Sequence, residues 1–324
     1  MTLKKLAYSI AIFAAVIGAV SAVTLTRAAR NEARAQAAFP PEGQILEVNG
    51  TALHVVEMGP DDGVPVVLIH GASGNTRDFT QGFAQELAKT HRVLVFDRPG
   101  LGYSDPIGPK GGSLAAQAAL LQAASAQLGA TRPIVLGQSY GGAVALAWAV
   151  HHPDNIRALV PVAAASNPWS TGLSTYYKFL SHPIVGPVVI PLLTAFVDDA
   201  RVERELDAIF APQKPPARYG KHIGAGLTLR RTSLRANALQ RAAILDEIEA
   251  IHTRYGEVQV PVEIIHGTAD DTVPIEVHSD KLVAQIPNAR LQKLDGIGHM
   301  PHHAAQEAVL AAVERAAKRA AQRE

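Results

Sequence analysis

The chain has 324 residues, enough for one large α/β domain or two modest ones. Its 30 Lys and Arg against 29 Asp and Glu leave a net charge of +1, which offers no broad basic surface to nucleic acid. There is no cysteine, so disulfides, thiolate zinc sites and a cysteine nucleophile are excluded.

The first element follows Lys4 and Lys5. From Leu6 to Leu25 the chain carries no charge, and about 20 such residues suffice to cross a hydrocarbon core as a helix. Residues 1–26 therefore read as a transmembrane anchor. The rival is a cleaved signal peptide, with Gly18 and a small-residue site at Val20 to Ala22. Either way the chain engages a membrane or its export machinery, as an anchored or an exported (periplasmic or secreted) protein. Arg27, Arg30 and Arg34 balance Lys4 and Lys5, so charge sets no orientation. Residues 27–43 form an Ala-rich helical stalk, ended by Phe39-Pro-Pro-Glu-Gly43.

The body then alternates short apolar runs with helical patterns. Gln44 to Met58 reads as a strand pair turning at Asn49-Gly50. Val64 to His70, Arg92 to Asp97, Pro133 to Gly137, Ile156 to Ala163, Val262 to His266 and Ala289 to Leu294 read as buried strands. Between them, helices are expected over Arg77 to Lys89, Leu114 to Leu128, Gly141 to His151 and Ile275 to Ile286, and a last one from His303 to Arg319. This order implies a mostly parallel, doubly wound sheet built from residues 44–165 and 258–324. Residues 166–257 show no buried strand and read as a helical lid, with helical stretches from Val197 to Phe210 and Arg230 to Ile251.

Chemistry concentrates in three loops. Gly137-Gln-Ser139-Tyr-Gly141 matches G-x-S-x-G between a strand and a helix, a sharp turn that lifts a serine hydroxyl above the sheet edge. A serine needs a base within hydrogen-bond reach and a third group to orient it. Asp270 and His299 each fall just beyond a strand C-terminus, on the edge where open α/β sheets place their sites. Asp271 competes with Asp270 for the role of acid. His302 and His303 suggest a metal cluster, but no carboxylate is spaced to match and Pro301 breaks a regular helical presentation, so no metal and no cofactor are expected. Gly100-x-Gly102 lacks the third glycine of a dinucleotide loop, and Asp97 and Arg98 read as braces near the site. His70 reads as structural.

From Gln44 onward the chain resembles the α/β-hydrolase superfamily, nearest to its lid-bearing esterase, epoxide hydrolase and C–C hydrolase branch. The residues that carry this are His70-Gly71, Asp97 to Asp105, Gly137 to Gly142, Gly267 to Pro274 and Gly298-His299. The resemblance implies the chain order Ser139 nucleophile, Asp270 acid, His299 base. It also implies an oxyanion hole from the Ala72 and Tyr140 amides. Epoxide hydrolases and haloalkane dehalogenases of this fold carry an aspartate at the elbow, so Ser139 disfavours both. The residues after the strand ending near Ala165 include no carboxylate, which favours Asp270 as the acid.

Trp169 and Tyr176 are candidate substrate contacts, with Tyr177 and Phe179 beside them in an apolar lid that suits a lipophilic small-molecule substrate. The expected reaction is hydrolysis of a carboxylic ester through an acyl-enzyme. The alternatives are C–C or amide cleavage by the same triad, and a silent membrane-anchored binding protein, which an intact triad argues against.

Overall fold

A computed structural model describes residues 3–108 and 111–323. Eight strands form one sheet in the order β1-β2-β4-β3-β5-β6-β7-β8. They are β1 (Gln44–Val48), β2 (Thr51–Met58), β3 (Val64–Ile69), β4 (His91–Phe96), β5 (Ile134–Gln138), β6 (Ala158–Val162), β7 (Val262–Gly267) and β8 (Ala289–Leu294). From β4 to β8 every neighbouring pair is parallel, and β1 and β2 add an antiparallel hairpin at one edge. Asn49 and Gly50 turn that hairpin with φ of 53° and 78°, the left-handed pair whose twist suits two-residue hairpins.

A long helix, α1 (Leu3–Ala38), precedes the sheet. The helices α2 (Arg77–Thr80) and α3 (Phe83–Leu87) lead from β3 to β4, α4 (Leu114–Gln127) from β4 to β5, and α5 (Tyr140–His151) from β5 to β6. Six helices then occupy the span between β6 and β7: α6 (Thr175–Ser181), α7 (Gly186–Phe196), α8 (Asp199–Phe210), α9 (Tyr219–His222), α10 (Ala225–Thr228) and α11 (Arg231–Ile251). The chain closes with α12 (Ser279–Gln285), α13 (Pro301–Ala304) and α14 (Gln306–Ala321).

Strand β3 shows why the sheet lies between two layers. Val67 and Ile69 enter the core shared with α4 and α5, whereas Val66 and Leu68 enter the core shared with α3 and α14. Alternate residues point to opposite faces, and both faces are covered. Helix α5 is buried from Tyr140 to Val150, as expected for a helix apolar all round.

Three expected helices differ in extent. The one over Arg77 to Lys89 breaks at Gly82, whose φ of 91° is incompatible with a helix. The one expected from Ile275 starts at Ser279, because the amides of Val277 and His278 turn back to the Pro274 carbonyl. The C-terminal pattern divides at Ala305.

The insertion grips the loop after β3. Asn237 accepts from the Ser73 amide and donates to its hydroxyl, both at 2.9 Å, and the Thr228 hydroxyl donates to the Ser73 carbonyl at 2.9 Å. The segments expected as anchor and stalk are one continuous helix whose C-terminal half packs on the insertion. Ala28 is fully buried, Arg27 Nε donates to the Ala195 carbonyl at 2.7 Å, and Glu32 binds the Arg231 guanidinium.

Candidate active site

Strand β3 lies between β4 and β5, so the chain leaves it toward one side and later returns on the other. The crevice at the C-terminal ends of β3 and β5 is thus the switch point where open α/β sheets bind ligands. Ala72 follows one strand and Ser139 the other.

Ser139 has φ 54° and ψ −117°, a strained conformation that costs on the order of 1–3 kcal/mol and persists only where surroundings enforce it. Its amide continues the sheet ladder to the Val162 carbonyl at 3.0 Å, and its own carbonyl accepts from the Gly142 and Ala165 amides. The turn is too tight for side chains on either flank. A Cβ at Gly137 would land on the Gly141 carbonyl, and one at Gly141 would land on the Ile69 carbonyl.

Asp270 follows β7 and His299 follows β8. His299 Nδ1 donates to Asp270 Oδ2 at 2.7 Å, which assigns the proton to Nδ1 and leaves Nε2 as acceptor. The other Asp270 oxygen accepts from the Thr272 and Val273 amides at 3.0 and 2.9 Å. Burial alone would raise this carboxyl's pKa, but the hydrogen bonds from His266 and His299 outweigh it and hold it well below the ordinary carboxylate range. Asp271 is exposed, and among the described residues no such hydrogen bond reaches it. Gln138 Nε2 donates to the His299 carbonyl at 3.1 Å, tying the serine turn to the histidine loop. Gln213 from the insertion clasps that loop as well, bonding the Gly296 carbonyl and the Gly298 amide at 2.8 Å each.

Ser139, Ala72 and His299 all line one cavity of about 720 Å³ roofed by the insertion. Its walls are mainly apolar, with Leu180, Leu193, Val197, Leu206 and Phe210 among them. Such a cavity falls in the range for small-molecule sites. Tyr176 lines it. Trp169 does not: its ring packs tilted at 59° against His278, 5.8 Å between ring centres, on the flank of the core. The side chain of Tyr140 also points away, into the core under the Arg98 guanidinium.

Arg98 is fully buried and reaches the loop after β3 three times. Its amide donates to His70 Nε2, its Nε to the His70 carbonyl, and its Nη2 to the Gly71 carbonyl, each at 3.0 Å. A trans peptide points its C=O and N–H in opposite directions. Holding the Gly71 carbonyl therefore turns the Ala72 N–H away from Arg98. His70 is neutral, its pKa lowered to about 4 by burial and by the Arg98 charge.

The His302-His303 pair needs a correction. A carboxylate does meet it, from a position far away in sequence: Asp78 accepts from His302 Nε2 at 3.2 Å, His303 Nε2 at 3.0 Å and the Tyr219 hydroxyl at 2.6 Å. These are ligand types a metal would accept, with donor atoms close together. His302 Nδ1 has no partner among the described residues and its ring lies 4.9 Å from Phe79. Nδ1 therefore stays unpaired whether Nε2 donates to Asp78 or meets a metal, and the cluster keeps both possibilities.

Sequence reasoning did not find His266, whose Nε2 lies 3.1 Å from Asp270, nor Arg241, which lines the cavity and has no carboxylate partner among the described residues. His266 ends the β7 run four residues before Asp270, and that spacing was the available signal.

Residues 64–305 match the family model described as the alpha/beta hydrolase fold. Among curated proteins, the chain is 30% identical over 262 residues to the polyketide synthase ThaQ of Burkholderia thailandensis; the match covers 79% of this chain but only 12% of that much longer protein. It is 27% identical to a 2-hydroxy-6-oxononadienedioate/2-hydroxy-6-oxononatrienedioate hydrolase of Cupriavidus pinatubonensis, covering 72% of this chain and 80% of that one. It is also 27% identical to lipase 1 of Psychrobacter immobilis, covering 78% and 76%. Among solved structures, a membrane phospholipase A described as a bacterial virulence factor shares the fold, with TM-score 0.63, 19% identity and coverage of 97% and 99%. With about three quarters of its length inside the family model, the chain belongs to the α/β-hydrolase family.

Proposed function

We propose that the protein is a serine hydrolase that cleaves carboxylic esters with an apolar part. The observation that carries this reading is the 2.7 Å hydrogen bond to a buried, ionised Asp270 from His299, which shares the cavity wall with a strained Ser139. Ser139 Oγ attacks the ester carbonyl carbon while His299 Nε2 takes its proton, and Asp270 stabilises the imidazolium. The Ala72 and Tyr140 amides receive the oxyanion; among the described residues neither is paired with a protein acceptor. The tetrahedral adduct collapses by breaking the C–O bond, and His299 passes its proton to the departing alkoxide. Water, deprotonated by His299, then attacks the acyl-enzyme, and Ser139 leaves with that proton.

The insertion serves as a lid over this cavity, and α1 holds the protein to a membrane. Its length and apolar composition support an anchor. A chain beginning at Arg27, assayed on p-nitrophenyl esters of increasing acyl length, should show activity that Ser139→Ala abolishes. Equal inertness of both would refute ester hydrolysis.

Arg241 favours a second reading. A cation in the cavity wall with no carboxylate partner among the described residues suits an anionic substrate, as in C–C cleavage of a carboxylated diketone. The relative from Cupriavidus supports it. Turnover of a ring-fission diketone acid faster than any ester would decide for it.

A further inference from the structure

The insertion turns an apolar surface outward. Helices α6 and α7 meet at a 112° bend, and on their outer side Phe179, Ile184, Val188, Leu192 and Phe196 are exposed by 53, 75, 63, 39 and 53%. Val188, Leu192 and Phe196 recur every four residues, so they form one stripe along α7. The opposite side of α7 buries Ile190 against Leu180, Leu234 and Ala238, so the outward stripe is not a consequence of poor folding. Large apolar side chains contiguous on a surface mark an interaction site.

The path of α1 identifies what covers them. Its side chains are exposed from Leu3 to Val23, and Thr24 is the first buried residue. From there the helix lies against the C-terminal end of α7. Arg27 binds the Ala195 carbonyl and sits 5.0 Å from the Phe196 ring centre, and Asn31 binds the Thr194 carbonyl at 3.0 Å. The free part has about 20 residues, about 30 Å at 1.5 Å each, the thickness of a hydrocarbon core. If that part spans a bilayer, the membrane surface falls at Thr24 to Arg27. Arg27 is then at headgroup level, and the stripe on α7 begins at that same level with Phe196. Lys178 and Arg30, both exposed, add positive charge suited to anionic headgroups.

We propose that the bend between α6 and α7 is a second membrane-docking surface, seated among the acyl chains of the bilayer that holds α1. This rests on the reading of α1 as an anchor, and it deepens the ester reading by naming the substrate class: acyl-ester lipids entering from the bilayer. Tyr176 and Ile209 both line the cavity and are exposed, so they form its rim, and Leu193 and Val197 line it from the region of the stripe. Bilayer and cavity are thus separated by about one helix thickness, about 10 Å.

The test uses the full chain in vesicles of phosphatidylethanolamine and phosphatidylglycerol with brominated acyl chains, which quench tryptophan by contact. Ile184→Trp should be quenched by about half beyond the background of Trp148 and Trp169. Asp154→Trp, exposed at the opposite sheet edge, should match that background. Equal quenching of the two variants would overturn the docking surface, as would a burial of Trp at 184 that follows dimerisation and not lipid.

A second measurement reads the substrate route. Ile184→Asp with Val188→Asp should cut hydrolysis of a vesicle-embedded diacyl ester about tenfold or more, with soluble p-nitrophenyl butyrate unchanged within about twofold. Equal change on both substrates would overturn the lipid route. Quenching at position 184 in a protein inert on both esters would support docking and sink the ester reading alone.

Discussion

The Gly71 carbonyl oxygen accepts a hydrogen bond from Arg98 Nη2 at 3.0 Å, and the same guanidinium lies 4.2 Å from the centre of the Tyr140 ring. One buried cation thus braces both residues whose peptide groups flank the candidate oxyanion site. Burial lowers its pKa to about 10, which still leaves it charged at neutral pH. Its Nη1 is also held by the side-chain oxygens of Gln117 at 3.0 Å and Gln240 at 2.6 Å.

Replacing Arg98 should therefore damage turnover more than binding. Arg98→Met keeps bulk but strands the His70, Gln117 and Gln240 acceptors and leaves the Gly71 carbonyl only its hydrogen bond from His70 Nδ1. The expected cost is roughly 2–4 kcal/mol of stability. At a temperature where the variant is folded, kcat should fall about tenfold or more while KM moves less than about threefold. A loss confined to KM would place Arg98 in substrate binding instead.

The neighbouring pair Asp270-Asp271 gives a sharper contrast. Asp270 receives four hydrogen bonds and Asp271 is exposed. Asp270→Asn should lower kcat by about 10³–10⁴-fold, because the amide presents the wrong group to His299 Nδ1. Asp271→Asn should stay within about twofold of the parent. Comparable losses from both substitutions in a steady-state ester assay would refute the assignment of the acid.

How far the sequence alone reaches depends on the separation of the partners. Strand β3 was readable because four consecutive buried residues, Val66 to Ile69, leave no other place in the fold. The tight turn at residue 139 was readable because it demands glycines at 137 and 141, two residues away on either side. The Asp78 partnership was not, since 224 residues separate it from His302 and no local pattern spans that distance. Trp169 illustrates a different failure. Nearness in sequence to β6 says nothing of direction, and the chain there turns its ring toward His278, away from the cavity. Gly82 split an otherwise regular helical pattern through its own φ, which its neighbours do not encode.

Acid sensitivity follows from the buried histidines. His70 and His278 are held to about 4 against an ordinary 6.5, first by burial and then by neighbouring positive charge. His302 is lowered too, with burial as the largest cause. Between about pH 6.5 and 4 the unfolded chain binds protons that the folded chain refuses, so stability rises with pH across that window and falls as pH drops through it. Each such histidine contributes a slope of at most about 1.4 kcal/mol per pH unit. Urea unfolding at several pH values should show the loss beginning below about pH 6.5, well before the carboxylates protonate. A flat stability down to about pH 4.5 would contradict neutral burial of these rings.

The second half of α1 should behave as part of the body. Glu32 is held by the Arg231 amide, Nε and Nη2 at 2.9, 2.9 and 2.7 Å, and those hydrogen bonds lower its pKa against the opposing effect of burial. Ala28 and Ala35 are buried. Small residues at these positions let the helix lie close to its neighbours, and Arg27 and Asn31 bond the last turn of α7. A chain beginning at Arg27 keeps all of these contacts, whereas one beginning at Phe39 loses them. It would leave the Thr194 and Ala195 carbonyls to water and uncover apolar surface on α7. The shorter chain should be less stable by roughly 2–4 kcal/mol, from lost apolar burial and charged hydrogen bonds together. Glu32→Ala in the longer chain should account for about 1 kcal/mol of that difference. Calorimetric melting of the three proteins checks the claim. Identical transitions would mean that residues 27–38 are a passive stalk, whose contacts with α7 and α11 carry no stability.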